Sequence, residues 1–171
     1  MTAADPLQAF QSMVESINTY PVEAFLFVRD GLHAAASALH GEESSEHNLV
    51  QQFLHEQGMD WTQLRSQFEA HALPENLMQL ITLAGGCDKF NRHVSGTELC
   101  WALRDLAVNR WGLLAPTVLT NWRIRNTQDF GRIVFAFIDH GLMQRQPTDS
   151  LADFDSIFTF EQAFAQQIEN E

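Results

Sequence analysis

The sequence has few of the features that mark a secreted, metal-binding or membrane protein. It holds only two cysteines in 171 residues, and the twelve residues between Cys87 and Cys100 match no zinc-site or redox spacing. Its longest uninterrupted apolar run, residues 133–138, is far shorter than the ~20 residues of a membrane-spanning helix. Residues 1–10 carry no basic stretch followed by an apolar run, so no secretory signal is expected. We therefore expect a cytoplasmic protein with no cofactor, no bound metal and no membrane contact.

Basic residues are also scarce, and they are unevenly placed. The chain contains ten Lys and Arg and 22 Asp and Glu, which gives a formal net charge of -12. Residues 1–88 carry a net charge of -10, residues 89–145 one of +4, and residues 146–171, which contain no base, one of -6. The charge pattern thus predicts a basic middle between acidic ends. One tyrosine against thirteen phenylalanines indicates that most aromatic rings lie in a core.

The first 88 residues predict a series of helices. Apolar residues recur at helical spacing after Pro6 and again after Pro21, and Gly41 ends the second of these helices. Residues 41–47 form a polar loop, and three further amphipathic segments follow it as far as residue 86. This part is predicted to be a helical N-terminal layer, residues 1–88.

A capping box opens the C-terminal part of the chain. Ser95 and Glu98 have the spacing at which each side chain binds the other's backbone N–H, so a helix begins there. Its apolar residues lie on two faces, which is typical of a helix packed between layers. A short helix at 116–122 and a third helix at 126–140, with Asp129 in its first turn, follow.

Two strand-like runs, residues 142–146 and 156–160, flank a polar turn at 147–150 and predict an acidic β-hairpin. Residues 161–168 predict a terminal helix. Helix, short helix, helix and hairpin together are the order of a winged-helix domain. We therefore predict a mostly α-helical protein, in which an N-terminal helical layer packs on a winged-helix-like part, residues 89–171.

Several blocks of residues resemble a known family. They are Tyr20, Glu23, Ala24, Phe25, Phe27, Val28, Gly31 and Leu32, then His93, Val94, Ser95, Gly96, Glu98 and Leu99, then Thr127, Asp129, Phe130, Gly131, Ile133, Val134 and Phe135, and finally Asp149, Ser150, Asp153 and Phe154. Over about 110 residues this pattern resembles a family of uncharacterised bacterial proteins typical of Planctomycetes and Verrucomicrobia. Relative to that family, residues of about 42–88 are expected to be an insertion. The resemblance implies no activity, cofactor or catalytic residue.

The candidate binding residues lie on the short and third helices and the connector between them. Trp122, Arg123, Arg125, Arg132 and Phe135 are of the aromatic and arginine types that dominate protein interfaces. We predict that they bind a protein partner. The alternative is that Trp122 and Phe135 pack against the N-terminal helices and are hidden in the core.

DNA binding is the alternative function that a winged helix suggests. Arg123 and Arg125 could contact phosphates, but Asp149, Asp153 and Asp155 lie in the predicted wing, where basic residues are needed. Carboxylates near phosphates oppose the release of counterions that drives such binding. The sequence therefore favours protein recognition over DNA recognition.

Enzymatic chemistry lacks a complete set of residues. His33, His40 and His47 recur every seven residues, but the loop after residue 40 separates the last of them from the helix. Cys87 and His93 flank a short segment without a third partner at a recognisable spacing.

The interpretation we favour is a non-catalytic cytoplasmic protein-interaction or adaptor module with an unknown protein partner. A DNA-associated winged-helix regulator is the alternative, and an uncharacterised enzyme is the second alternative. The sequence leaves the oligomeric state open.

Overall fold

Most of the described chain is α-helical, and side-chain caps begin many of its helices. The computed structural model describes residues 5–143, 146 and 148–165. Glu98 N donates to Ser95 Oγ at 3.1 Å and Ser95 N donates to Glu98 Oε2 at 2.9 Å, so the predicted capping box is confirmed. The helices in these ranges are α1 Pro6–Ile17, α2 Val22–His40, α3 Ser45–Gln57, α4 Trp61–Glu69, α5 Glu75–Ala84, α6 Gly96–Trp111, α7 Ala115–Asn121, α8 Thr127–Asp139 and α9 Phe160–Ala165. The prediction of a mostly α-helical protein is confirmed.

The larger of two apolar cores joins the two ends of the chain. Helix α2 packs against α6 and α8, α1 packs against α8, and α6 also contacts α7 and α9. Phenylalanine dominates this core, as its abundance predicts; Phe25, Phe27 and Phe130 are almost completely buried. Helix α6 thus lies between the N-terminal helices and the C-terminal segments, as its two apolar faces predict.

The second core is built by one continuous stretch of chain. Its buried members are Val50, Leu54, Leu64, Leu73, Leu77, Ile81, Cys87 and Phe90, from α3, α4, α5 and a 3₁₀ turn at Cys87–Phe90. The chain passes between the two cores twice, once after α2 and once before α6. These two connections lie side by side, since His40 Nε2 and the carbonyl oxygen of His93 are 2.8 Å apart. A domain boundary at residue 88 and an insertion at 42–88 stay predictions.

The predicted β-hairpin is wrong for its second arm. In residues 156–160, Ser156 has a φ of 50° and Phe160 already begins α9. No strand occurs in the described part of the chain, so the three helices α6, α7 and α8 lack a wing there. Gln144 and Arg145 of the first arm, Pro147 of the turn and residues 166–168 of the predicted terminal helix lie outside the described residues.

The segment forms turns because its polar side chains cap the backbone locally. Ser150 N donates to Asp153 Oδ2 at 2.9 Å and Ala152 N donates to Ser150 Oγ at 3.2 Å, which closes a 3₁₀ turn at Leu151–Phe154. Thr159 then caps α9 by accepting a hydrogen bond from Gln162 N at 3.2 Å. Backbone groups used in this way cannot also pair in a strand ladder.

Gly131 is required for the packing of this turn on α8. A Cβ at residue 131 would lie 2.7 Å from Cγ and 2.9 Å from Cβ of Phe154. The base of the buried Phe154 side chain cannot move away without shifting its backbone. We therefore predict that Gly131→Ala lowers the free energy of unfolding by about 1–3 kcal/mol in urea denaturation, although alanine is the better helix former.

The matched control is the same substitution in a Phe154→Gly background, which removes the Cβ of residue 154 as well as its ring. There Gly131→Ala is expected to be neutral or stabilising by up to about 1 kcal/mol, because only its helix propensity is left. An equal loss of stability in both backgrounds would refute the proposed clash.

Candidate functional site

Four of the five predicted binding residues line one groove. Arg123, Arg125, Arg132 and Phe135 border a cavity of about 800 Å³, which we call the basic groove. Its other lining residues come from the α1–α2 junction, the start and outer face of α8, and the turn after residue 150: Ile17, Thr19, Tyr20, Asn126, Asp129, Ala136, Asp139, His140 and Leu151. The fold therefore brings these four residues together, and their role in partner binding stays a prediction.

Trp122 lies apart from this groove. Its ring packs on Phe27, with centroids 5.8 Å apart, and edge-on against Trp111 at 5.2 Å. Trp122 and Phe135 are both half-buried and pack against the larger core. Trp122 therefore serves the contact between α2 and α7, while Phe135 also faces the groove.

The carboxylate of Asp129 is the hydrogen-bonding centre of the groove floor. Its Oδ1 accepts hydrogen bonds from the Tyr20 hydroxyl at 2.5 Å and from Arg132 Nη1 at 2.7 Å. Its Oδ2 accepts from the backbone N–H groups of Arg125 at 2.8 Å and Asn126 at 3.3 Å. Asp129 is 6% exposed, so these four donors stabilise a carboxylate that burial alone would disfavour.

Tyr20 connects the α1–α2 junction to this carboxylate. Burial, together with the hydrogen bond to Asp129, raises the pKa of the Tyr20 hydroxyl to about 12. The hydroxyl therefore stays protonated at neutral pH and acts as a donor. Its position fixes the N-terminal end of α2 against the start of α8.

The three arginines of the groove differ in how firmly they are held. Arg132 is paired with Asp129, and Arg123 Nη1 donates to the carbonyl oxygen of Thr19 at 3.2 Å. The Arg125 side chain is exposed, and no described residue forms a hydrogen bond or ion pair with its guanidinium. Arg125 is therefore the cation most available to a ligand.

The residues considered for catalysis are dispersed or buried. Burial raises the pKa of the Cys87 thiol, and that of Cys100 to about 12, so neither is activated as a thiolate. His40 is bound to the carbonyl of His93, while His47 is buried at the start of α3. Within the described ranges no three His, Cys, Asp or Glu residues are grouped so that they could hold a metal ion.

Sequence reasoning missed the central pair, Tyr20 and Asp129. Asp129 was predicted only as an acid in the first turn of α8, and Tyr20 was not considered as a site residue. The Asn126 and Asp129 side chains form a capping box, which is a local signal that the sequence contains. No local signal points to the contact with Tyr20, which lies 109 residues away.

Comparison of the chain with protein-family models, with curated proteins and with solved structures finds no match in any of the three. The resemblance to the planctomycete and verrucomicrobial family therefore stays a prediction. None of the described helices has both the length and the apolar character needed to cross a membrane. The fold and the site together define a mostly helical protein that has a groove bordered by arginines.

Replacing Asp129 by asparagine tests the importance of the carboxylate for the fold. Either orientation of the new amide places an NH₂ group against N–H or O–H donors, which leaves buried groups unpaired. We expect Asp129→Asn to lower the free energy of unfolding by about 2–4 kcal/mol in urea denaturation. Asp139→Asn, an exposed position of the same helix, is the control and should change it by less than about 0.5 kcal/mol. Equal effects of the two substitutions would contradict the role given to Asp129.

The ionisation of Tyr20 can be measured directly, because it is the only tyrosine in the chain. Its pKa is raised from 10.0 to about 12 in the folded protein, so the protonated hydroxyl stabilises the fold below pH 10. This stabilisation is lost as the pH rises from about 10 towards about 12. The ultraviolet absorbance of tyrosinate should show its midpoint well above that of the same chain in denaturant, and Asp129→Asn should lower the native midpoint. Coinciding native and denatured midpoints would show that Tyr20 is not held as described.

Proposed function

We propose that this chain is a non-catalytic protein-interaction or adaptor module of the cytoplasm, and that its partner binds in the basic groove. The observation that carries the proposal is the convergence of Arg123, Arg125, Arg132 and Phe135 on one open cavity of about 800 Å³. These residues come from a connector and a helix face that sequence alone singled out as interface-like. The proposal is therefore tested first by substituting residues of the groove.

The chemistry of the groove favours a partner segment that combines a carboxylate with an apolar side chain. Arg125 presents an exposed guanidinium, which binds carboxylates in a two-pronged geometry. Phe135 offers part of an aromatic ring beside it, and arginine and aromatic residues carry most of the binding energy at protein interfaces. A segment with an acidic residue next to a leucine or phenylalanine matches both features.

Duplex DNA is the competing occupant, and charge argues against it. Asp139 lies in the groove and Asp129 forms its floor, so two carboxylates stand among the three arginines. A duplex carries a continuous row of phosphates, some of which would meet these acids and oppose counterion release, whereas a single carboxylate of a peptide can bind at Arg125 alone. The proposal consequently takes an acidic peptide rather than DNA as the ligand.

Affinity purification from the native cell with quantitative identification of the co-eluting proteins tests this function. We expect at least one protein to elute in stoichiometric amount with the natural chain, and its recovery to fall about tenfold or more for Arg125→Glu combined with Arg123→Asn. Asparagine is chosen at 123 because the backbone there has a φ of 65°, which asparagine tolerates. The recovered partner should then bind the purified chain with the same dependence on these two residues.

Arg110→Ala is the matched control, because Arg110 is about as accessible but pairs with Asp30 at 2.9 Å outside the groove. It should leave the recovery unchanged. The proposal fails if the groove variant and the control retain the same proteins in the same amounts. Retention on random duplex DNA at ~50 mM salt, lost in the groove variant and falling steeply with added salt, would favour the DNA-associated alternative.

A further inference from the structure

A cleft of about 570 Å³ lies between the two cores, on the other side of Phe135 from the basic groove. Leu32, Leu99 and Val134 line it from the larger core, and His47 and Trp61 line it from the α3–α4 part. Neither the function predicted from the sequence nor the function proposed above assigns a role to this cleft. Its size is in the range of sites for small molecules.

Two residues mark the inner wall of this cleft. A neighbouring cavity of about 640 Å³, on the α3 and α5 side, shares only His47 and Arg92 with the cleft. Side chains that line both cavities lie between them. An imidazole that is 5% exposed and an arginine whose charge acts on it thus both border the two cavities.

Arg92 lacks a partner for part of its guanidinium. Its Nη2 is buried, and within the described residues it has no hydrogen-bond acceptor. A buried donor of a charged group that has lost water without gaining an acceptor costs free energy. Because Nη2 has almost no accessible surface, an anionic acceptor in the cleft would remove this cost once the Arg92 guanidinium turns towards it, and a guanidinium binds the oxygens of a phosphate group especially well.

The acidic residues of the cleft do not neutralise Arg92 in the structure. Asp149 accepts a hydrogen bond from Gln146 N at 2.8 Å and lies 3.7 Å from His93 Nε2, and Asp153 caps the 3₁₀ turn. Glu43 also lines the cleft and its charge acts on His47. None of these contacts supplies an acceptor to Arg92 Nη2 among the described residues.

We propose that Arg92 and His47 form a binding site for the phosphate group of a small molecule that enters the cleft between the two cores. Arg92 would donate to the phosphate oxygens, and His47 would donate from a ring nitrogen. Two amides line the same cleft: Gln51 Nε2 lies 3.4 Å from His47 Nε2, and the Asn91 amide is paired with that of Gln146.

The surroundings of His47 make its pKa sensitive to a bound anion. Burial is the main cause that lowers this pKa, and the charges of Arg92 and His40 add to it, while Glu43 acts in the opposite direction. A bound phosphate would add a negative charge near the imidazole, oppose the effect of Arg92 and raise the pKa of His47.

Nuclear magnetic resonance of the seven histidines during titration with inorganic phosphate tests the site. Chloride at equal ionic strength is the reference, and His47→Gln identifies the His47 signal. We expect phosphate to raise the pKa of His47 saturably by about one unit. His71 is exposed and lines neither cavity, so its signal should not respond. In Arg92→Gln the affinity for phosphate should fall about tenfold or more, whereas Arg110→Gln, at an arginine that lines neither cavity, should leave it unchanged.

The proposal is overturned if His47 does not respond, responds equally to chloride, or shifts together with His71. It is also overturned if folded Arg92→Gln binds phosphate as tightly as the natural chain. Should Arg92→Gln fail to fold, the comparison of His47 with His71 in the natural chain decides. If the groove variant loses its partner while the response of His47 to phosphate stays the same, the phosphate site and the basic groove are independent of each other.

Discussion

The Asp129 carboxylate is the interaction on which the arrangement of the groove depends. It accepts four hydrogen bonds, two from the backbone at its own helix start and two from Tyr20 and Arg132. The backbone donors fix the direction in which the connector enters α8, and Tyr20 fixes the α1–α2 junction against it. A buried carboxylate with fewer donors would favour water over this position. The arrangement of the basic groove therefore depends on one buried carboxylate with four hydrogen-bond donors around it.

The first turn of α8 carries a second constraint. The hydroxyl of Thr127 donates to the carbonyl oxygen of Phe154 at 2.6 Å and accepts from Ile157 N at 3.3 Å, while Gly131 leaves room for the Phe154 ring. The first turn of α8 is thus bonded to the N-terminal helices on one side and to the C-terminal segment on the other. This explains why Thr127 and Asp129 are among the few buried polar residues of the described chain.

Whether a feature could be predicted from the sequence depends on how far apart along the chain its interacting residues lie. Caps and helical spacing are local, so the start of α6 at Ser95 and the order α6, α7, α8 could be predicted. The imperfect alternation of residues 156–160 predicted a hairpin, but local caps at Ser150 and Thr159 form turns instead. The packing of Phe154 on Gly131, more than twenty residues away, adds a contact that no local pattern shows. Likewise the arginines were recognised by residue type, while the contact between Tyr20 and Asp129 spans 109 residues and has no local pattern.

The charge of the whole chain limits how a partner can be recognised. With a net charge of -12, the protein repels an acidic segment at long distance, and only within the screening length of about 8 Å at physiological salt do the groove arginines dominate. Added salt weakens both the repulsion and the attraction, so the affinity of an acidic partner should depend less on salt than that of a ligand for a purely basic surface. Arg132 and Arg123 already have partners within the fold, which leaves Arg125 as the cation that gains most from a ligand. Close contact at Arg125 and Phe135, rather than steering by the field of the protein, is therefore what would make this groove specific.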